Sequence, residues 1–223
     1  MTGTNGEAYS SYSDDELIFK AKNGDASAFD ALHVRYLKKI LNYVNRIVSD
    51  FQKAEEITQE TFLQVYRHLE TYQPCGKLSS WIFKIATNLS KNELRSQRRK
   101  KYLGISLYTK LVTDESESEL IDVIPDESDL PNNKAEMNEL SKIIERAIQA
   151  LPLKYREVML VCEVYGYSYQ EASEILNCSR ANIGIRLCRA RRKIKKIINA
   201  SEDMAPYLHK FNLADNTLAS HHI

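Results

Sequence analysis

Apolar residues recur three or four positions apart along most of this chain, the spacing that places them on one face of an α-helix. The sequence shows no sustained alternation of apolar and polar residues, which would indicate a β-strand. Glycine and proline, the residues that most often interrupt helices, number only seven and five among 223 residues. The pattern therefore predicts an all-α protein.

The length and composition are those of a folded soluble protein, with room for one large domain or two small ones. The first dozen residues lack the basic start and apolar stretch of a signal peptide, and nowhere do 18 apolar residues run together. We therefore expect a cytoplasmic protein without membrane insertion. The four cysteines form no CxxC pair, so we expect neither a disulfide framework nor a metal site.

A first helical domain is predicted over residues 13–103, after a disordered N-terminus at residues 1–12. It opens with a short helix near residues 14–22 and continues with three apolar stripes at helical spacing. The stripes comprise Phe29, Leu32, Tyr36, Ile40, Tyr43 and Ile47; Phe51, Ala54, Ile57, Thr61, Val65 and Leu69; and Leu78, Trp81, Ile82, Ile85 and Leu89.

A change in charge separates this domain from a second one. Residues 111–130 carry eight acidic side chains and no basic one, a composition typical of a flexible linker, which we place at residues 104–132. Apolar spacing resumes in a second helical domain over residues 133–200. The tail at residues 201–223 is weakly patterned, and no role is predicted for it.

The second domain contains a helix-turn-helix pattern. Ser168 and Glu171 have the spacing of a capping box, which predicts that a helix begins there and stops near Asn177. After a turn of about three residues, Ser179 can cap a second helix. Its predicted buried stripe is Ile183, Leu187, Ala190, Ile194 and Ile197, and its predicted outward face carries Arg186, Arg189, Lys193 and Lys196.

This second helix, at residues 179–196, carries eight lysines and arginines and no acidic residue. A solvated basic surface is one interpretation of such a run. Charge of a single sign repels itself unless an anion offsets it, however, and the capping and turn length match a recognition helix in the DNA major groove. The pattern therefore favours DNA binding.

Two charged surfaces are predicted in the first domain. The helix opening at Ser79 or Ser80 ends in KNELRSQRRKK, which is strongly basic, and its Trp81 is either a base-stacking residue or a core residue. On the same helix Asn88 can bond a base edge. Upstream, AEEITQETF places acidic side chains beside Phe62, a combination that favours a basic protein partner.

Residues 53–100 resemble conserved region 2 of the extracytoplasmic-function group of sigma-70 factors, and residues 150–196 resemble their region 4. The resemblance implies a non-catalytic subunit, without cofactor, metal or small-molecule substrate, that docks on core RNA polymerase and directs it to promoter DNA. An anti-sigma protein is a further partner that it implies. The chain departs from the frequent residues of the family's recognition helix at Gly184, Ile185 and Cys188.

The resemblance also implies roles for individual residues. Polymerase contacts fall on Glu55, Glu56, Gln59, Glu60 and Phe62. Contacts with the −10 element, and its melting, fall on the loop at residues 72–78 and the helix after it, through Tyr72, Trp81, Lys84, Asn88, Asn92, Arg95, Arg98 and Arg99. Contacts with the −35 element fall on Ser179, Arg180, Asn182, Arg186, Arg189 and Arg192.

Two other functional classes compete with this interpretation. One is a helix-turn-helix regulator whose N-terminal domain is a sensor or dimerisation unit. The other is an enzyme, but the five histidines show no metal-ligand spacing, and the chain has neither a phosphate-binding glycine loop nor a recognisable nucleophile motif. The acidic patch and the basic Trp81 helix favour the sigma factor.

Overall fold

The computed structural model describes residues 9, 11–73, 76–106 and 144–200, and within these ranges it contains helices and no strand. The prediction of an all-α protein is therefore confirmed. The elements are α1 (Asp14–Lys22), α2 (Ala26–Val48), α3 (Phe51–Arg67), a 3₁₀ turn (Leu69–Thr71), α4 (Leu78–Ser106), α5 (residues 144–149), α6 (Leu153–Met159), a π-helical turn (Leu160–Val164), α7 (Tyr169–Leu176) and α8 (Arg180–Ala200).

These residues form two compact units. The first contains α1 to α4 together with Gln170–Cys178, and the second contains α5, α6 and α8. The helix α4 continues to Ser106, three residues past the predicted domain end, since one glycine at position 104 costs only about 1 kcal/mol and does not by itself end a helix. The remainder of the predicted acidic linker and the C-terminal tail lie outside the described residues.

Short polar side chains set the starts of the first helices. Ser13 and Glu16 form a reciprocal capping box at α1, with the Ser13 N–H donating to Glu16 Oε2 at 2.7 Å. These bonds also lower the pKa of Glu16. The side chain of Asp25 accepts from the Ala28 N–H at α2, and that of Asp50 accepts from the Lys53 N–H at α3. The predicted helix near residues 14–22 is confirmed.

The core of the first unit lies where α3 and α4 pack on α2. Tyr43 is fully buried there, its ring centroid 5.0 Å from that of Phe83 and its hydroxyl 2.7 Å from Thr87 Oγ1. The predicted stripe of α2 is buried at Leu32, Tyr36, Ile40, Tyr43 and Ile47. The predicted stripe of α3 is wrong at its first residue, because Phe51 at the helix start is exposed.

The core of the second unit is formed mainly by α6 and α8. Val158 of α6 and Leu160 of the π-helical turn that follows it are fully buried. On α8 the predicted stripe is confirmed at Ile183, Leu187, Ala190 and Ile194. It ends on buried Ile198 rather than on half-buried Ile197, since these neighbours lie on opposite sides of the stripe and packing decides which is covered.

Of residues 1–12, for which disorder is predicted, the structure describes residues 9, 11 and 12, and two of these are tyrosines that contact the first helices. Tyr9 donates its hydroxyl to Asp25 Oδ2 at 2.8 Å, and the Tyr12 carbonyl accepts from Arg35 at 2.9 Å. The Lys20 ammonium lies 4.8 Å from the centre of the Tyr12 ring. These contacts attach the start of the chain to α1 and α2; residues 1–8 and 10 lie outside the described residues.

No helix in the described ranges combines the length and hydropathy needed to cross a membrane. The described residues also contain no group of three or more histidine, cysteine or acidic side chains placed to hold a metal ion. Cys162, Cys178 and Cys188 carry free thiols, and Cys75 lies outside the described residues.

Candidate nucleic-acid and polymerase-binding surfaces

The helix-turn-helix connection is built as the sequence predicts. The helix α7 begins directly after Ser168 and ends at Leu176, and Asn177 then adopts a left-handed conformation with φ of 53°. The Cys178 N–H donates to the Ser173 carbonyl at 3.1 Å. Ser179 caps α8 by accepting from the Asn182 N–H at 3.2 Å. The connection is three residues long, 177–179, and the prediction of its length and cap is confirmed.

The exposed side of α8 is cationic and contains no acidic residue. Its exposed side chains include Ser179, Arg180, Ile185, Cys188, Arg189, Arg192, Lys195 and Lys196. Half-buried Arg186 donates from Nε to Asn182 Oδ1 at 3.0 Å, which holds the guanidinium against the preceding turn. Lys193 is not fully outward as predicted, since its ammonium lies 5.6 Å from the centre of the Tyr155 ring. Arg191 pairs with Glu163.

Two residues of α8 that depart from the family pattern occupy different environments. Gly184 is half-buried, and a Cβ atom built on it would meet only Tyr169 Cε2, at 3.7 Å. Ile185 is 53% exposed and lies among the cations, on the side opposite the buried stripe. An apolar side chain therefore stands near the centre of the candidate DNA-binding face.

Replacing Gly184 with alanine is expected to raise the free energy of unfolding by about 1 kcal/mol, because alanine favours the helix and the added methyl group makes only ordinary van der Waals contact. Chemical denaturation of the full chain measures this change. Gly166→Ala is the matched control, since Gly166 has φ of +73° and alanine there is expected to destabilise. A loss of stability in Gly184→Ala would contradict the prediction.

The helix α4 presents a line of DNA-binding candidates. Trp81, Lys84, Asn88, Asn92, Arg95 and Arg99 follow one another at intervals of three or four residues. Such intervals place them on one side of the helix. Trp81 is half-buried and the other five are exposed, as is neighbouring Arg98. The structure thus brings the predicted −10 residues of α4 onto one continuous surface.

Tyr72 does not belong to that surface. It is only 8% exposed, and its ring stacks on Trp81 with centroids 4.8 Å apart and planes 26° apart. The Trp81 ring covers Tyr72, so the structure places Tyr72 beneath the α4 surface, and its −10 contact stays a prediction. Pro74 and Cys75 of the predicted loop lie outside the described residues.

The acidic patch of α3 is exposed at Glu55, Glu56 and Gln59. Glu56 bonds Lys53 at 2.6 Å, and this hydrogen bond and the charge of Glu56 raise the pKa of the Lys53 ammonium. Half-buried Glu60 lies 3.5 Å from Arg67. The patch is therefore an acidic surface with a lysine at one end and an arginine at the other.

Phe62, a predicted polymerase contact, is buried in the structure. It is 5% exposed and packs edge-on against His33 of α2, with ring centroids 4.5 Å apart. Its position four residues after buried Thr58 places it on the core side of α3. Phe62 therefore lies beneath the acidic patch, and its contact with polymerase stays a prediction.

The exposed apolar residues of α3 are the next in sequence. Leu63 is 49% exposed and Tyr66 is 62% exposed, and the Tyr66 ring meets Phe29 edge-on at 5.1 Å. Glu56, Gln59, Leu63 and Tyr66 form one line at intervals of three and four residues, which we name the α3 ridge. Continuing the three- and four-residue intervals from Glu56 and Gln59 along the sequence would have identified Leu63 and Tyr66 as the next residues on this side of α3.

Comparison with known families matches both halves of the chain to sigma-70 domains. Residues 32–100 match the family model of sigma-70 region 2, and residues 141–194 match that of sigma-70 region 4. Two solved structures share the fold. They are CnrH in complex with the cytosolic domain of CnrY (TM-score 0.59, 20% identity, 85% of this chain and 99% of that one), and the sigma factor RpoE in complex with the anti-sigma factor NepR from Bartonella quintana (TM-score 0.55, 20% identity, 78% and 98%).

The sequences of known relatives align with this chain over nearly their whole length. The sigma-E factor of Escherichia coli K12 is 30% identical over 81% of this chain and 92% of its own length. SigW of Bacillus subtilis is 29% identical over 80% and 93%, and the sigma-H factor of Pseudomonas aeruginosa is 28% identical over 83% and 93%. The match of residues 32–100 assigns the N-terminal half to region 2 and so favours the sigma factor over a helix-turn-helix regulator. The chain belongs to the extracytoplasmic-function family of sigma-70 factors, non-enzymatic RNA polymerase subunits that direct the initiation of transcription.

Proposed function

We propose that this sigma factor divides its work among three surfaces: α8 reads the −35 element, the exposed side of α4 captures the −10 element, and the α3 ridge binds core RNA polymerase. The observation that carries the proposal is the single line on α4 from Trp81 to Arg99, which joins an aromatic ring, two amides and three cations. The proposal includes a cytoplasmic location, where core polymerase and promoter DNA are available to the protein.

The −35 element is read as duplex in the major groove. The cap of α8 and the part of the helix up to residue 192 supply the side chains that enter the groove: Ser179, Arg180, Asn182, Arg186, Arg189 and Arg192. Exposed Arg189 and Arg192 can bond guanine edges or phosphates. Because Asn182 holds Arg186 at 3.0 Å, that guanidinium is already ordered before DNA arrives.

The −10 element is captured as an unpaired strand. Separating and unstacking base pairs costs free energy, which a protein offsets by stacking and bonding the released bases. Trp81 offers a ring face, Asn88 and Asn92 offer amides, and the cations of α4 bind the backbone. Buried Tyr72 serves by supporting the Trp81 ring from the opposite face.

Core polymerase is bound by a combination of charge and apolar contact. Glu55, Glu56 and Gln59 supply charge and hydrogen-bonding groups that steer a basic partner. Leu63 and Tyr66 supply the apolar area that a stable interface buries at its centre. These two residues take the role that the sequence assigned to Phe62.

We also propose an anti-sigma protein as a regulatory partner. The cationic sides of α4 and α8 are surfaces that an acidic protein can cover. Such a protein would compete with promoter DNA, so its addition is expected to suppress initiation without altering the sigma factor itself.

The function is tested by mapping the transcripts that core polymerase starts on genomic templates with and without this protein. We expect starts at a limited set of sites that share upstream sequences and that core polymerase alone does not use. A helix-turn-helix regulator would bind DNA without enabling core polymerase to initiate. The absence of specific initiation on every template would contradict the proposal.

Ile185 is expected to contact the methyl group of a thymine in the −35 element, since it is exposed among the groove-facing cations. Replacing the contacted thymine with deoxyuridine, which lacks one methyl group, should weaken binding by about 0.8 kcal/mol, roughly fourfold. In Ile185→Ser this difference between thymine and deoxyuridine should vanish. The measurement is a titration of the holoenzyme with mapped promoter duplexes, and an unchanged deoxyuridine effect in Ile185→Ser would contradict the contact.

A further inference from the structure

The helix α1 contacts both ends of the connection between the 3₁₀ turn and α4. Lys22 Nζ donates to the Tyr72 carbonyl at 2.5 Å and to the Glu70 carbonyl at 3.1 Å. At the other end, Asp15 Oδ2 accepts from the Gly76 N–H at 3.1 Å. These bonds join positions 48 to 61 residues apart in the sequence.

Each contact suits the backbone group that it holds. The carbonyls of Glu70 and Tyr72 lie at the end of a 3₁₀ turn, where carbonyls lack partners within the helix, and an ammonium with three donors can bond both. Gly76 has φ of +70°, a conformation that favours glycine, and its N–H donates to a carboxylate. Hydrogen bonds to charged groups are shorter and stronger than those between neutral groups.

Lys22 is linked to the DNA-facing line of α4 through Tyr72. Lys22 holds the backbone of Tyr72, and the ring of Tyr72 stacks on Trp81 at 4.8 Å. Trp81 is the first residue of the line on α4. The last residue of α1 is therefore linked to the Trp81 ring through the backbone and ring of Tyr72.

We infer that Lys22 and Asp15 are positioning residues for promoter opening, which hold the backbone at Tyr72 and Gly76 so that Trp81 is in place when the DNA strands separate. The inference rests on the proposed capture of the −10 element by α4. A receptor that is already ordered loses little conformational freedom on binding, so more of its stacking energy stabilises the open strand. Neither residue needs to contact DNA.

The first experiment replaces Lys22 with methionine in the full chain and assembles holoenzyme on a mapped promoter. Permanganate reactivity of unpaired thymines measures opening, and a gel shift at low temperature measures closed-complex binding. We expect opening to fall by roughly tenfold with closed-complex affinity unchanged. A template with a pre-opened −10 region should restore initiation, and Lys22→Arg should recover part of the opening.

Lys38→Met is the matched control, because Lys38 is an exposed lysine on α2. It is expected to open the promoter as the unmodified protein does. Equal opening by Lys22→Met and the unmodified protein would overturn the inference.

A pair of substitutions at Asp15 separates positioning from stability. Asp15→Asn and Asp15→Ala both remove the negative charge near the start of α1, but only asparagine keeps an acceptor for the Gly76 N–H. We expect opening to fall in Asp15→Ala and to be largely retained in Asp15→Asn. Equal effects of the two Asp15 substitutions would overturn the inference. This comparison does not use Lys22→Met, so it decides the question even where that variant fails to fold. If the unmodified holoenzyme itself leaves the −10 thymines unreactive, the proposed function fails instead.

Discussion

Joint replacement of Leu63 and Tyr66 with alanine is expected to weaken binding of core RNA polymerase by about 2–4 kcal/mol, roughly 30- to 1,000-fold. Both side chains are exposed on the α3 ridge, so their truncation removes apolar contact area without opening a cavity in the core. Titration of labelled sigma factor with core polymerase measures the loss. The −35 DNA affinity of the full chain without polymerase should not change.

Phe51→Ala is the matched control for this prediction. Phe51 is an exposed aromatic residue on the same helix, but it lies at the helix start, about 18 Å along the axis from Leu63. It should leave core binding unchanged. Phe62→Ala should instead lower the free energy of unfolding by about 3–5 kcal/mol, because it empties a buried site. Undiminished core binding by the Leu63 and Tyr66 double variant would remove the apolar part of the proposed interface.

Replacement of Arg189 with alanine is expected to weaken binding of the −35 element by about 1–3 kcal/mol if the guanidinium reads a base edge. Arg189 is exposed on α8, opposite the buried stripe. Binding of holoenzyme to duplexes that match or mismatch the mapped −35 element measures the effect. A lost base contact reduces discrimination between these duplexes, whereas a lost phosphate contact weakens both equally and makes the salt dependence shallower.

Arg191→Ala is the control on the same helix. Arg191 pairs with Glu163, so its charge is already offset within the protein. It should change −35 binding much less than Arg189→Ala does. Equal affinity of Arg189→Ala and the unmodified protein, for matched and mismatched duplexes alike, would show that another side of α8 faces the DNA.

Local patterns in the sequence predicted most of the helical framework. The spacing of apolar residues identified the buried sides of α2 and α8, and Ser179 identified the start of α8. These features depend on neighbours within one or two helical turns, so they can be read from a short window of residues. The uniformly positive charge of α8 could also be predicted from the sequence, because the helix contains no acidic residue that would neutralise it.

The tertiary structure decided which residues of each helix are exposed. Helical spacing indicates the direction of the core, but the width of the buried stripe depends on how closely neighbouring helices pack. On α3 this packing against α2 buries Phe62 and leaves Leu63 exposed. Tyr72 was covered for the same reason, by a ring nine positions later. The bond from Lys22 to Tyr72 spans 50 positions, a distance over which apolar spacing carries no information. Only folding brings those groups together, and it thereby determines which residues lie beneath the line of DNA-binding candidates on α4.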